Sequence, residues 1–94
     1  LHYSPGISLR INAKNSKNDE AFILINKKQN KLKNYFYLSY KNDLREAAKN
    51  LYSCLRDIKN KGYKSIAVEK IPNKGLGKTI NDRLYRASKF KNSK

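Results

Sequence analysis

Apolar positions along this chain recur with two periods. Leu9, Ile11 and Ala13 alternate with Arg10 and Asn12, the pattern of a short half-buried or edge strand. The polar stretch KNSKNDE, Lys14 to Glu20, has no period and reads as a loop. AFILI, Ala21 to Ile25, is an unbroken apolar run of strand length, which suits a central strand covered on both faces. A basic loop, NKKQNKLKN, follows, and YFYLSY from Tyr35 to Tyr40 is again of strand length and aromatic-rich.

The period then changes. Leu44, Ala47, Ala48, Leu51, Tyr52, Leu55 and Ile58 fall on one helical stripe, with Arg45, Lys49, Asn50, Arg56 and Lys59 on the remaining surface. Asp43 and Glu46 form a candidate capping box, because the Asp can accept from an orphan N–H while the Glu reaches back. Gly62 is a natural stop, so the helix is expected over about Asp43 to Lys61. SIAVEKI, Ser65 to Ile71, returns to strand character and Pro72 ends it. A last helix is expected from near Leu76, with Leu76, Ile80, Leu84 and Ala87 on one face and Lys78, Asp82 and Arg86 opposite. From Lys89 the basic tail is expected to fray. The order strand, strand, strand, helix, strand, helix contains one β-α-β unit and predicts a small α/β domain, with a partly parallel sheet of about four strands and two main helices.

Charge adds a partner class. Twenty-two Lys and Arg against seven Asp and Glu in 94 residues give a net charge of +15, which favours anionic partners such as RNA, phosphates or acidic surfaces. Most of these cations are Lys spread among many Asn residues, and a general drift toward Lys and Asn gives the same composition with no ligand. Tyr35, Phe36, Tyr37 and Tyr40 beside the basic loop suit stacking of unpaired bases, or a core role. The two readings differ in one observable. If Tyr35 and Tyr37 share an exposed face the RNA reading gains, and if both are buried it fails. The lone Cys54, among Leu51, Tyr52 and Leu55, is expected to be a buried, inert thiol in a reducing, cytoplasmic setting. No apolar run reaches bilayer length, so no membrane partner is expected, and LHYSPG carries no signal-peptide pattern.

Candidate chemistry is sparse. Gly75 and Gly77 stand between a strand and a helix, where exposed N–H groups can hold a phosphate. A dinucleotide fingerprint would need a third glycine at Ile80. Gly77-Lys78-Thr79 matches the end of a P-loop, but the first glycine of that motif would stand at Pro72, which offers no N–H. Both glycines equally suit a tight turn with close approach of helix to sheet. His2 is the only histidine, so no His-based metal cluster is expected. The acids read as caps and solvated helix charges, except Glu69, which lies within an apolar strand and is expected to pair with a nearby Lys.

Three segments together carry a family resemblance: HYSPGISLRINA (His2 to Ala13), DLREAAKNLYSCLRDI (Asp43 to Ile58) and IAVEKIPNKGLGKTINDRLYRAS (Ile66 to Ser88). In this order they resemble the C-terminal domain of two-domain threonylcarbamoyl-AMP synthases, most specifically at Gly75-Leu76-Gly77 with Asn81-Asp82-Arg83-Leu84. Leu1 and Asn73-Lys74 depart from the family pattern. The resemblance implies a Rossmann-like accessory domain over residues 9–94, preceded in residues 1–8 by the end of an interdomain linker, with no chemistry of its own. It implies that the parent enzyme makes threonylcarbamoyl-adenylate from ATP, L-threonine and bicarbonate for tRNA modification, with ATP and Mg held by an upstream YrdC-like domain of the same polypeptide. His2, Tyr3, Ser4 and Pro5 would then be the linker motif lying over that active site, and tRNA a further candidate partner. The segment bearing Gly75, Leu76, Gly77, Lys78, Asn81 and Arg83 would be a family-motif turn or a phosphate site.

Overall fold

The computed structural model describes residues 7–25 and 32–92. Six elements follow in chain order: β1 (Ser8–Ala13), β2 (Ala21–Leu24), β3 (Tyr35–Tyr37), α1 (Leu44–Asn60), β4 (Ser65–Glu69) and α2 (Leu76–Asn92). The four strands form one sheet in the order β1-β4-β2-β3. All three pairings are parallel, so the sheet goes beyond the partly parallel arrangement expected. β2 lies between β4 and β3, the central place its continuous apolar run requires.

Both helices cover the same face. Ala47, Leu51, Leu55 and Ile58 of α1 and Ile80, Leu84 and Ala87 of α2 form one core with Ala21, Ile23, Ile66 and Val68 of the sheet. On the other face Ala13, Phe22, Leu24 and Ala67 form a second, smaller cluster, against which Tyr35 and Tyr37 lean. An apolar run that fills both clusters is what β2 supplies, with alternate side chains going to opposite faces.

β1 departs from simple alternation. Its register slips between Arg10 and Ala13, and Asn12 takes φ 60°, a left-handed conformation that Asn tolerates better than most residues. The extra residue turns Ala13 to the face opposite Leu9 and leaves Ile11 exposed.

The ends of α1 follow the sequence closely. Asp43 caps it, its Oδ1 accepting from the N–H groups of Arg45 and Glu46. Glu46 does not close the box directly. Its carboxylate accepts from the Ser39 hydroxyl at 2.5 Å, and Ser39 Oγ accepts the Asp43 N–H at 2.9 Å, so the serine stands between the two. At the other end Gly62 has φ 91°, and Tyr63 N–H reaches back to the Ile58 carbonyl, the closure that a left-handed glycine permits.

α2 differs from expectation at both ends. It continues to Asn92, past the fraying point expected at Lys89. Leu76 is 42% exposed, and the buried stripe is instead Gly77, Ile80, Leu84 and Ala87. The inward place in the first turn is taken by Gly77, which lies directly against Pro72. No described helix is long and apolar enough to cross a membrane.

Candidate functional site

The turn from β4 to α2 is built around two glycines with different roles. Gly75 has φ +57°, and a Cβ there would meet nothing within 4 Å, so its role is conformational. A Cβ on Gly77 would stand 2.0 Å from the carbonyl oxygen of Pro72, so its role is close approach. Asn81 closes the turn from within the helix, its Nδ2 donating to the Ile71 carbonyl at 2.9 Å and to Asn73 Oδ1 at 3.3 Å. Arg83 ties the two helices together by donating from Nη1 to the Ala48 carbonyl of α1 at 3.2 Å. Lys78 makes an exposed pair with Asp82 at 3.5 Å, of the kind that contributes little to stability. These contacts gather Gly75, Gly77, Lys78, Asn81 and Arg83 onto one turn and its helix, while Leu76 points away from the core. The N–H groups of Gly77 and Lys78 donate to the carbonyls of Lys74 and Gly75, each at 3.1 Å, within the turn itself. His2, Tyr3, Ser4 and Pro5 lie outside the described residues.

The acids are engaged elsewhere. Glu69 accepts the N–H of Ile25 at 3.0 Å, bridging the ends of two neighbouring strands. Asp57 pairs with Lys61 at 3.3 Å on the surface of α1. Glu20, placed by its sequence in a polar loop, is only 3% exposed. Arg10 donates to both of its oxygens, Nε to Oε2 at 3.0 Å and Nη2 to Oε1 at 2.9 Å, and Lys17 N–H adds a third bond at 2.9 Å. The Arg10 guanidinium holds the Glu20 carboxyl below the usual carboxylate range, and the carboxylate holds the guanidinium up in turn. Arg10 Nη2 also reaches the Asn15 carbonyl, fastening the β1–β2 loop to the edge strand. Sequence reading missed this pair. The one signal available was an acid directly preceding the apolar run. No group of three His, Cys, Asp or Glu side chains lies together among the described residues.

Tyr35 and Tyr37 meet neither extreme of the expected alternative. Both are half-buried, and both lie on the sheet face that the helices leave uncovered. Phe22, Tyr35, Tyr37 and Tyr40 form an edge-to-face series with centroid spacings of 5.5, 6.5 and 5.3 Å. Beside them an open cleft of about 730 Å³ separates β3 from α1, with Asn50, Ser53, Cys54 and Asp57 along its helical wall. Sequence spacing along α1 shows these four on one stripe, but nothing in the sequence shows that β3 faces it.

Cys54 is half-buried rather than fully enclosed, and its burial, with Asp57 nearby, pushes the thiol up to about 12. Thiolate is therefore scarce at neutral pH. Alkylation of Cys54 by iodoacetamide at pH 8, followed by mass spectrometry, is expected to run about 100-fold slower than that of a small free thiol, the lost thiolate outweighing its higher intrinsic nucleophilicity. A rate within about threefold of the free thiol would contradict this environment.

Residues 1–89 match the family model described as threonylcarbamoyl-AMP synthase, C-terminal domain. The chain belongs to this family. No curated protein matches it. Among solved structures, the crystal structure of P. abyssi Sua5 complexed with L-threonine is similar in fold, with a TM-score of 0.67 and 24% identity over 96% of this chain. The match covers 30% of the P. abyssi chain. In this synthase C-terminal domain the segment Gly75 to Arg83 thus has a visible physical role, since it locks α2 against β4 through Gly77 and Asn81, and against α1 through Arg83.

Proposed function

We propose that this chain is a noncatalytic accessory domain of a threonylcarbamoyl-AMP synthase, and that it holds a linker lid over the active site of a catalytic domain preceding it in the same polypeptide. The match to the family's C-terminal domain, running through residues 1–89, carries the reading. The disposition of the acids supports it. Glu20, Asp43, Glu46 and Glu69 hold a loop, a helix start and a strand end, while Asp57 and Asp82 face exposed lysines. Carboxylates fixed in such bonds give a rigid body rather than an acid–base pair.

In this reading His2, Tyr3, Ser4 and Pro5 form the lid motif, and Tyr3 offers a ring and a hydroxyl to the closed site. In sequence β1 begins three residues after Pro5, and the Arg10–Glu20 pair and β4 hold that strand in place. ATP, Mg, L-threonine and bicarbonate belong to the upstream domain, and the setting is cytoplasmic. The test is to supply the chain alone with these four components and to measure pyrophosphate and threonylcarbamoyl-adenylate. Neither is expected above background. Formation of the adenylate would overturn the assignment of chemistry to the upstream domain. In the two-domain polypeptide Tyr3→Ala is expected to lower kcat at least about tenfold with an unchanged melting temperature, and an unchanged kcat would overturn the lid role.

A further inference from the structure

The accessory reading leaves one surface without a role. β3 is an edge strand of the sheet, and the cleft beside it is lined by the half-buried Tyr35, Phe36 and Tyr37 and the exposed Tyr40. Tyr40 is 68% exposed, the most open large ring of the described residues. A second cleft of about 400 Å³ shares Lys33 and Lys61 with the first and extends to Lys64. Rings therefore stand at one end of a joined surface and lysines at the other.

Four features select the occupant. Consecutive aromatic side chains with an exposed ring face accept flat, apolar groups, and successive bases of a single strand supply these at short intervals. The lysines suit phosphates. Asp57 faces the same cleft and pairs with Lys61 at 3.3 Å, which leaves Lys33 and Lys64 as the lysines for phosphate, and Asp19 lies only at the far end. A net charge of +15 over the chain draws polyanions toward either cleft. On the helical wall Ser53 donates its hydroxyl to the Asn50 carbonyl at 3.1 Å, which leaves its oxygen lone pairs to accept from a ribose 2′-hydroxyl. An extended acidic peptide would satisfy the lysines, but it would leave the row of rings without a matching group.

We propose that the β3–α1 cleft binds a single-stranded segment of RNA, with bases stacked on Tyr40 and Tyr37 and phosphates on Lys33 and Lys64. This goes beyond the accessory role and does not depend on it.

Fluorescence anisotropy with a labelled twelve-nucleotide oligouridylate tests it. Neutralising about two phosphates predicts a loss of affinity of about sevenfold between 50 and 200 mM salt. Tyr40→Ala, at an exposed position that leaves folding intact, is expected to weaken binding at least about fivefold while the salt slope stays as in the parent chain. Lys33→Ala is expected to flatten the slope. Tyr37→Leu, which keeps apolar contact with the sheet, supplies a second ring deletion, and melting temperatures of all variants verify that they fold. The matching oligothymidylate is expected to bind more weakly. Absence of binding at 50 mM salt, unchanged binding by both ring variants, equal affinity for the DNA strand, or tighter binding of an oligoglutamate peptide would each overturn the proposal.

Discussion

A Gly77→Ala variant is expected to lose about 3 kcal/mol of folding stability, seen as a melting temperature at least about 12 °C below that of the parent chain. The added methyl would meet the Pro72 carbonyl oxygen at 2.0 Å, and this neighbour is backbone, held in turn by the bond from Asn81 to the adjacent Ile71 carbonyl. Relief requires moving either the first turn of α2 or the segment that follows β4, and both are anchored by buried residues, Ile71 and Ile80 among them. The intrinsic gain of Ala over Gly in a helix, about 1 kcal/mol in the interior and less in a first turn, does not offset this. Gly75→Ala is the internal control. It meets no neighbour and suffers only from φ +57°, so about 1 kcal/mol is expected. The comparison also separates two accounts of the motif. A phosphate cradle predicts that Gly77→Ala abolishes ligand binding in a protein that remains folded, whereas close approach predicts destabilisation with no ligand present. A melting temperature within about 2 °C of the parent would refute the close-approach account.

The elements that sequence reading recovers are those whose information is local. The α1 stripe, its Asp43 cap and the Gly62 stop are written in residues three or four apart, and all are found in place. AFILI marks the central strand because only a strand covered on both sides has nowhere to put a polar residue. What escaped depends on contacts distant in the chain or on a shift of one residue. The Arg10–Glu20 pair joins a strand to the end of a loop ten positions on, and either residue alone reads as solvated. The extra residue at Asn12 breaks the alternation of β1 and strands Ile11 outside, which composition does not announce. Leu76 fits the helical stripe by spacing, yet a glycine occupies the inner position of that turn. For the candidate site, the residues of the Gly75 to Arg83 segment were visible as a motif, whereas their role was not, since it lies in where Pro72, Ile71 and Ala48 come to rest.

The parallel sheet has a mechanical consequence for the proposed lid role. All four strands point the same way, so the chain enters the described fold near the N-terminal ends of the strands, and β1 is the first element any motion of the preceding segment would reach. β1 is an edge strand, paired on one side only, with β4. Its other attachments include the main core, through Leu9, the second cluster, through Ala13, and the Arg10 guanidinium on the Glu20 carboxylate. An ion pair whose acid is buried and whose base is half-exposed is well suited to this position, because the guanidinium bonds both carboxylate oxygens and also fixes the Asn15 carbonyl.

Glu20→Gln therefore tests the anchorage of β1, and its effect should follow pH with a definite sign. In the folded chain the Arg10 guanidinium and the Lys17 N–H hold the Glu20 carboxyl below its ordinary value, while in the unfolded chain it titrates near that value, about 4.3. The unfolded state thus binds the proton first as the pH falls, and the carboxylate contributes its full stability only above the unfolded value. At pH 7 the variant is expected to melt about 10 °C below the parent, since a buried charge-assisted acceptor is replaced by an amide whose N–H₂ faces donors. Below about pH 4 the parent loses this contribution as its carboxyl protonates through the depressed folded value, and the two melting curves should converge. A gap that stays the same from pH 7 to pH 3.5 would show that Glu20 acts through shape alone. Parallel measurement of Asp57→Asn, whose exposed pair with Lys61 is screened by water, should show little gap at either pH and fixes the baseline for the comparison.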